Sequence, residues 1–166
     1  GAIWVILSWY IASKKLGKSF LKIADKMVWI VPIGLFFGRI GNYINGELFG
    51  LPGYTWILAR NLDGVNYFPT PLLESLLEWI ILFLILIWRK KRIDYDGQVW
   101  VWFLWGYGIM RFFAEFFRLP DVQIGYLIGW WMTLGHVFSI VMMLLALILH
   151  FVLKKSPFNS PFIKGA

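Results

Sequence analysis

The chain has 166 residues, of which 60% are hydrophobic, 20% aromatic and only 15% charged. Soluble domains are about 45–50% apolar and about 25% charged. The difference excludes a disordered chain and an ordinary water-soluble domain, because so small a particle cannot bury this much apolar surface. The absence of cysteine excludes a disulfide scaffold and a thiolate centre. We therefore expect a single integral-membrane domain, residues 1–166, built as an all-α, polytopic transmembrane helix bundle.

The net charge of +7 by itself would fit a nucleic-acid partner, but its distribution does not. Twelve of the 16 basic residues fall in three short breaks between apolar stretches, at 14–26, 89–92 and 154–164. Cytoplasmic loops of membrane proteins carry this excess of Lys and Arg. We expect no nucleic-acid partner and a cytoplasmic location for all three breaks.

The apolar stretches predict four full spans plus a truncated first helix, since a span needs about 20 apolar residues. Residues 1–13 are short for a span and begin without an initiator Met, so we expect a fragment lacking its N-terminal helices. On the outer side, residues 46–71 are predicted to form a loop and residues 118–126 are predicted to form a short turn. The four predicted spans are 27–45, 72–88, 97–117 and 127–153. With the basic breaks inside, the C-terminus is cytoplasmic.

Small residues mark expected helix contacts within the membrane. Helices in lipid associate where small side chains let their backbones approach closely. Gly34 and Gly38 are four residues apart in the second apolar stretch. Their spacing predicts a packing contact there.

Arg39 and Arg111 stand apart from the basic breaks, each late in an apolar stretch that runs outward. An arginine at the centre of a membrane helix costs about 2.5–3.5 kcal/mol. One interpretation is that each side chain extends to the outer headgroups or pairs with a glutamate. The other is that both face a polar cavity at one level of the bilayer.

Neighbouring residues favour the cavity. Tyr107, Arg111, Glu115 and Arg118 are spaced four, four and three, which predicts one helical stripe, and Arg39 shares a face with Asn42. The planar guanidinium matches phosphate oxygens. The phosphate of a phospholipid is the anion available at that depth, so we expect lipid phosphate to bind here.

Three segments resemble the prolipoprotein diacylglyceryl transferase family. The family signature is matched by Gly38-Arg39-Ile40-Gly41-Asn42-Tyr43-Ile44-Asn45-Gly46-Glu47-Leu48-Phe49-Gly50. A second match is Tyr107-Gly108, Arg111-Phe112, Glu115-Phe116, Arg118 and Pro120-Asp121, followed by Gly129-Trp130. A weaker third match is Pro69-Thr70, Leu72 and Glu74, and Asp25 also fits. The resemblance covers the chain as the C-terminal two-thirds of a seven-helix protein.

The resemblance implies transfer of the diacylglyceryl group of phosphatidylglycerol to the lipobox cysteine thiol of prolipoproteins, with release of glycerol phosphate. Implied partners are phosphatidylglycerol, prolipoprotein signal peptides and membrane lipids. The implied location is the bacterial inner membrane, with the active site toward the outer leaflet. We expect no cofactor and no metal. The implied catalytic residues are Arg39, Arg111, Tyr107 and Glu115. The implied substrate-binding residues are Arg39, Asn42, Asn45, Gly46, Glu47, Gly50 and Arg118.

The chain departs from the family at several positions. The given sequence starts after the position of the His-Gly-Gly loop that precedes the family's third helix. In the third matched segment, Phe68, Pro71 and Leu73 replace the family's usual His, Gln and Tyr. These departures favour an alternative function, a catalytically impaired lipid-binding membrane protein of the same fold. A transporter is disfavoured because no inverted repeat is visible.

Three further titratable residues lie within predicted spans, His136 and His150 in the last one and Glu78 in 72–88. His136 and His150 are expected to be packing or interface residues. Glu78 is expected to be an ordinary carboxylate near a helix N-terminus.

Overall fold

The computed structural model describes residues 2–53, 58–62, 64–89, 93–120 and 125–155. Most of them are helical, as the composition predicts. The helices are α1 (Ala2–Leu16), α2 (Phe20–Met27), α3 (Val31–Asn45), α4 (Thr70–Ser75), α5 (Leu82–Arg89), α6 (Gln98–Glu115) and α7 (Leu134–Lys155). A 3₁₀ turn, Val28–Ile30, joins α2 to α3, and a π-helical segment, Leu76–Ile81, joins α4 to α5.

Two of these helices are long and apolar enough to cross a bilayer. They are Thr70–Arg89, formed by α4, the π segment and α5 together, and Leu134–Lys155. Helix α3 has only 15 residues, and α6 carries Arg111 and Glu115 within its 18. The structure thus supports a helical protein with two membrane-capable helices, and the four-span arrangement stays a prediction.

Two sequence-based expectations are wrong. The segment 46–71 contains an antiparallel hairpin of β1 (Arg60–Leu62) and β2 (Val65–Tyr67), where a plain loop was expected. The last helix begins at Leu134 because an Ile128–Met132 bridge closes a turn before it. The span 127–153 was predicted from its apolar composition, which does not distinguish this turn from a helix. Gly129 has a φ of 60°, which suits a turn.

The core lies where the early part of α6 packs on α5 and on the turn before α3. Its buried side chains include Val28, Leu82 and Phe103. Close helix contact depends on Gly106, where a Cβ would lie 2.6 Å from Leu82, and on Gly108 against α7. The expected contact at Gly34 and Gly38 is wrong within the described chain, since both face open space.

One end of the bundle gathers the basic segments. The Asp25 carboxylate accepts hydrogen bonds from the backbone N–H groups of Gly97, at 2.7 Å, and Trp100, at 3.0 Å. These contacts tie α2 to the start of α6. The Tyr95 hydroxyl lies 2.6 Å from His150 Nδ1, near the end of α7. The described parts of all three basic breaks therefore lie at the same end, as the charge pattern predicts.

Two groups at this basic end have perturbed proton affinities. Burial raises the pKa of Asp25, against the opposing effect of its backbone hydrogen bonds. Burial also raises the pKa of Tyr95 to about 12, and the nearby carboxylates of Asp25 and Asp94 act in the same direction. Both groups therefore hold their protons more tightly than free side chains do.

At the opposite end, Gly50 joins three segments. Its N–H donates to the Phe68 carbonyl at 2.9 Å, and it forms an isolated bridge with Arg118. A Cβ at position 50 would collide with the Phe117 carbonyl oxygen and the Thr70 hydroxyl. Only glycine fits this junction, which fixes the start of α4 against the end of α6.

Candidate active site

Helices α3, α4 and α6 bring ionic side chains to one level of the bundle. Arg39 lies six residues before the end of α3, and Arg111 lies four residues before the end of α6. Glu74 lies four residues after the start of α4. At 1.5 Å per residue these positions are about 6–9 Å from the nearest helix ends, and the start of α4 and the end of α6 meet at the Gly50 junction. The helix bounds therefore place the three side chains side by side.

Glu74 connects the two arginines. Its Oε2 atom lies 3.0 Å from Arg39 Nη1, and its Oε1 atom accepts a hydrogen bond from Arg111 Nη1. The carboxylate is fully buried, and each arginine side chain is 14% exposed. The two guanidinium groups thus meet at a single carboxylate that is shielded from solvent.

Glu78 holds the other side of Arg39. Arg39 Nε donates to Glu78 Oε2 at 3.0 Å, and Nη2 donates to Oε1 at 3.1 Å. This parallel pair of bonds is the strong bidentate form of an arginine–carboxylate contact. The expectation that Glu78 is an ordinary helix-terminal carboxylate is wrong, because it is 1% exposed. It lies in the π segment, a geometry often found at functional sites.

Glu115 holds Arg111 and extends the cluster to α7. Its Oε2 atom lies 2.7 Å from Arg111 Nη2, one turn earlier on α6. The Thr133 hydroxyl donates to Glu115 Oε1 at 2.8 Å. A Cβ on Gly135 would collide with the Glu115 carboxylate. The first turn of α7 therefore leaves just enough room for this side chain.

His136 completes the buried series. The Thr133 N–H donates to His136 Nδ1 at 3.2 Å, so the proton of the neutral ring is on Nε2. Phe112, Phe116 and Trp131 enclose the imidazole with their ring edges and faces. Nε2 has no hydrogen-bond partner among the described residues. The histidine is a packing residue, as expected, but it also positions Thr133 toward Glu115.

Tyr107 lies one turn before Arg111 on α6. Its ring stacks on Phe103, with centroids 5.8 Å apart, and its phenol interacts electrostatically with Glu78 and Arg39. Tyr107, Arg111 and Glu115 thus form the stripe that the spacing predicts. Arg118 does not continue it, because α6 ends at Glu115 and Arg118 pairs with Gly50.

The remaining sequence-predicted residues lie at the edge of this cluster. Asn42 is half-buried in the last turns of α3, whereas Asn45 and Glu47 are exposed. Gly46 ends the helix with a φ of 77°, and its N–H caps the carbonyls of Asn42 and Tyr43. The described contacts of these residues do not reach the two arginines.

The ionic cluster has more negative than positive groups. Arg39 and Arg111 face three carboxylates, those of Glu74, Glu78 and Glu115. With His136 neutral the formal charge is therefore −1. A buried charge without a partner costs several kcal/mol, which explains why each guanidinium is held by two carboxylates. Because the carboxylates outnumber the guanidinium groups by one, one carboxylate of the cluster could accept a proton.

Sequence reasoning missed Glu74, Glu78 and Thr133 as parts of this cluster. A signal was present for the two glutamates. They are four residues apart in an otherwise apolar stretch, and two arginines in other apolar stretches require carboxylate partners. Thr133 had no comparable signal, because a threonine in an apolar segment is an ordinary packing residue.

Comparisons with known proteins identify the relatives of this chain. The sequence pattern of the prolipoprotein diacylglyceryl transferase family matches residues 1–152. A protein of Hydrogenovibrio crunogenus named phosphatidylglycerol–prolipoprotein diacylglyceryl transferase is 41% identical over 87% of this chain and 56% of its own length. Proteins of the same name from Methylococcus capsulatus and Idiomarina loihiensis are 41% and 40% identical over 90% and 93% of this chain.

This chain spans 58% and 59% of the lengths of those last two relatives. The matched region includes every residue of the ionic cluster described above. The chain belongs to the prolipoprotein diacylglyceryl transferase family.

Proposed function

We propose that this chain provides the phosphate-binding centre of an enzyme that transfers the diacylglyceryl group of phosphatidylglycerol to the cysteine thiol of prolipoprotein signal peptides. One observation carries the proposal. Arg39 and Arg111, from separate helices, meet at the buried carboxylate of Glu74. The names of the relatives support the same substrates.

The reaction places new negative charge on the donor phosphate. The sulfur of the thiolate attacks the glycerol carbon, and the carbon–oxygen bond breaks with its electrons retained by the phosphate oxygen. A thioether forms and glycerol phosphate leaves. Since the phosphate gains charge as the bond breaks, cations fixed beside it stabilise the transition state more than the bound lipid. Arg39 and Arg111 are proposed for this role.

The thiol must also lose a proton, because only the thiolate is a good nucleophile. We assign the transfer to Glu115, with Tyr107 in support, because Glu115 meets Arg111 in a single ion pair, whereas Glu74 meets both arginines and Glu78 is held by two parallel bonds. Glu115 accepts the thiol proton and returns it to the leaving phosphate. Thr133 holds the carboxylate in place for both steps.

The outer end of α3 is proposed to hold the headgroup. Asn42, Asn45 and Glu47 offer hydrogen-bonding groups beside the cluster, and Asn45 and Glu47 are exposed. Gly46 and Gly50 would shape this surface through their backbones, and Arg118 would contribute a third cation. Gly46 ends α3 with a positive φ, and Gly50 lets the start of α4 approach the end of α6.

A four-span topology in the bacterial inner membrane fits this chemistry. In it, α3, the α4–α5 helix, α6 and α7 cross the bilayer within one domain, residues 1–166. The basic end, with the C-terminus of α7, faces the cytoplasm by the positive-inside rule. The active site then faces the outer leaflet, where a signal-peptide cysteine can reach it.

The test is a transfer assay with phosphatidylglycerol and a lipobox peptide, using the native membrane protein with any sequence that precedes Gly1. We expect thioether formation, and losses of about 100-fold or more in Arg39→Ala and Arg111→Ala, as for other groups that stabilise transition-state charge. Lys155→Ala, at the opposite end, is the control. Equal activity in all four proteins would refute the role of the arginines.

The alternative, a catalytically impaired lipid-binding protein, has one observation in its favour. Each arginine is already held by two carboxylates, an arrangement that could serve stability alone. The same assay separates the two functions. Bound phosphatidylglycerol without any thioether product would favour the alternative.

A further inference from the structure

A second candidate site lies at the basic end of the bundle, away from the ionic cluster. It is a cavity of about 630 Å³, within the range of roughly 300–1,000 Å³ typical of small-molecule sites. Its lining residues come from α2, the turn after it, and the loop and helix that pack against them. They are Lys18, Lys22, Asp25, Lys26, Trp29, Ile93 and Val99.

Three lysines give the cavity its charge. Lys22 and Lys26 lie one turn apart on α2, and Lys18 directly precedes the N-cap residue Ser19. The described partner of Lys22 is Asp96, at 3.6 Å, and the lysine side chain remains 52% exposed. Both oxygens of Asp25 accept backbone hydrogen bonds from α6. Both oxygens of Asp25 are thus occupied by hydrogen bonds within the protein, and the lysines remain available to an external anion.

The other walls of the cavity are apolar. Trp29, Ile93 and Val99 line it, and the neighbouring side chains of Met27 and Ile30 are exposed. A free inorganic anion gains nothing from such surroundings. A phospholipid presents a charged phosphate directly above apolar chains, which matches this combination of lysines and hydrophobic surface. Basic pockets between membrane helices are known binding places for anionic headgroups.

We propose that this cavity binds the headgroup of an anionic phospholipid from the leaflet at the basic end, as a non-reacting lipid. The site is distinct from the Arg39–Glu74–Arg111 cluster. Trp29 precedes Arg39 by ten residues, which corresponds to about 15 Å along the helix axis. The 3₁₀ turn at Trp29 and helix α3 therefore connect the cavity at one end with the ionic cluster near the other.

Native mass spectrometry of the purified protein tests the proposal by counting bound lipids as phosphatidylglycerol or zwitterionic phosphatidylcholine is added. The test variant is Lys18→Ala/Lys22→Ala/Lys26→Ala. Each lysine near an anionic lipid surface contributes about a fivefold change in affinity, so the triple variant should bind one phosphatidylglycerol on the order of 100-fold more weakly. Phosphatidylcholine should bind weakly to every variant.

The matched control is Lys14→Ala/Lys15→Ala/Lys154→Ala, which removes the same charge outside the cavity. It should keep the bound lipid, as should Lys18→Arg/Lys22→Arg/Lys26→Arg, which also shows that the fold tolerates changes here. Equal loss in the control would overturn the proposal, because binding would then depend on net charge alone. Competition by glycerol phosphate at the same concentration as the lipid would also overturn it.

The outcome is separate from that of the transfer reaction. Arg39→Ala removes a cation of the proposed active site and should leave this lipid in place. Loss of the lysine-dependent lipid in Arg39→Ala would show that the two sites are one, contrary to the proposal.

Discussion

Glu74 is the carboxylate on which both arginines depend, so its neutralisation tests the arrangement of the cluster most directly. In Glu74→Gln the side chain keeps its shape and loses its charge. The amide oxygen can still accept from one guanidinium, but the amide NH₂ group then faces the other, and two donors meet. We expect the folded protein to lose stability and the arginines to lose their alignment.

The size of the effect follows from the contacts that remain. Removing one partner of a buried ion pair costs about 3–5 kcal/mol. Arg39 keeps Glu78 and Arg111 keeps Glu115, so we expect a value near the lower end, about 3 kcal/mol. For a chain of this length that corresponds to a melting temperature lower by about 6–12 °C.

Thermal unfolding in detergent micelles, followed by circular dichroism, measures the change. Ser75→Ala is the matched control, because Ser75 is also buried on α4 but its hydroxyl donates only to the Leu72 carbonyl of its own helix. We expect about 1 kcal/mol or less from that change. If Glu74→Gln destabilised the protein no more than Ser75→Ala, the bridging role of Glu74 would be refuted.

Three further predictions concern Tyr95, Gly135 and Gly50. Tyr95 keeps its proton to about pH 12 when folded and to about pH 10 when unfolded, so its contribution to stability is full below pH 10 and is lost as the pH rises toward 12. In Tyr95→Phe the melting temperature should therefore be lower at pH 8 and should fall less between pH 9 and 11 than in the wild type. Gly135→Ala should displace the Glu115 carboxylate and reduce transfer activity at least tenfold, whereas Gly34→Ala, in open space, should retain it in the same assay. Gly50→Ala should lower the free energy of unfolding by about 1–3 kcal/mol through overpacking, and a denaturant titration that shows no change would contradict the close packing there.

The sequence was sufficient to predict that Arg39 and Arg111 lie at one level of the bundle. The reason is that charge placement sets the direction of each apolar stretch and helix rise sets the depth of each residue. The structure places both guanidinium groups on Glu74. Periodicity could also predict the stripe from Tyr107 to Glu115, because it lies within one regular helix.

The two carboxylates that reach the arginines from another helix, Glu74 and Glu78, could not be identified from periodicity. Glu78 belongs to a π-helical segment, where the regular spacing of 3.6 residues per turn does not hold, and its burial depends on the approach of α3. Arg118 was assigned to the stripe because its spacing is helical, yet the helix ends three residues earlier. In both cases a contact between distant segments decides the position of the side chain, and no local pattern records that contact.

The charge balance of the cluster constrains any mechanism at this site. Two guanidinium groups and three carboxylates leave a formal charge of −1 before a substrate binds. A phosphodiester would make it −2 in a poorly solvated region, where like charges repel strongly. Besides the third cation proposed from Arg118, a carboxylate that takes up a proton or turns away from its arginine would favour binding of the proposed phosphate. Among the described contacts, Glu115 meets Arg111 in one ion pair and α7 through one hydroxyl, whereas Glu78 is held to Arg39 by two parallel bonds.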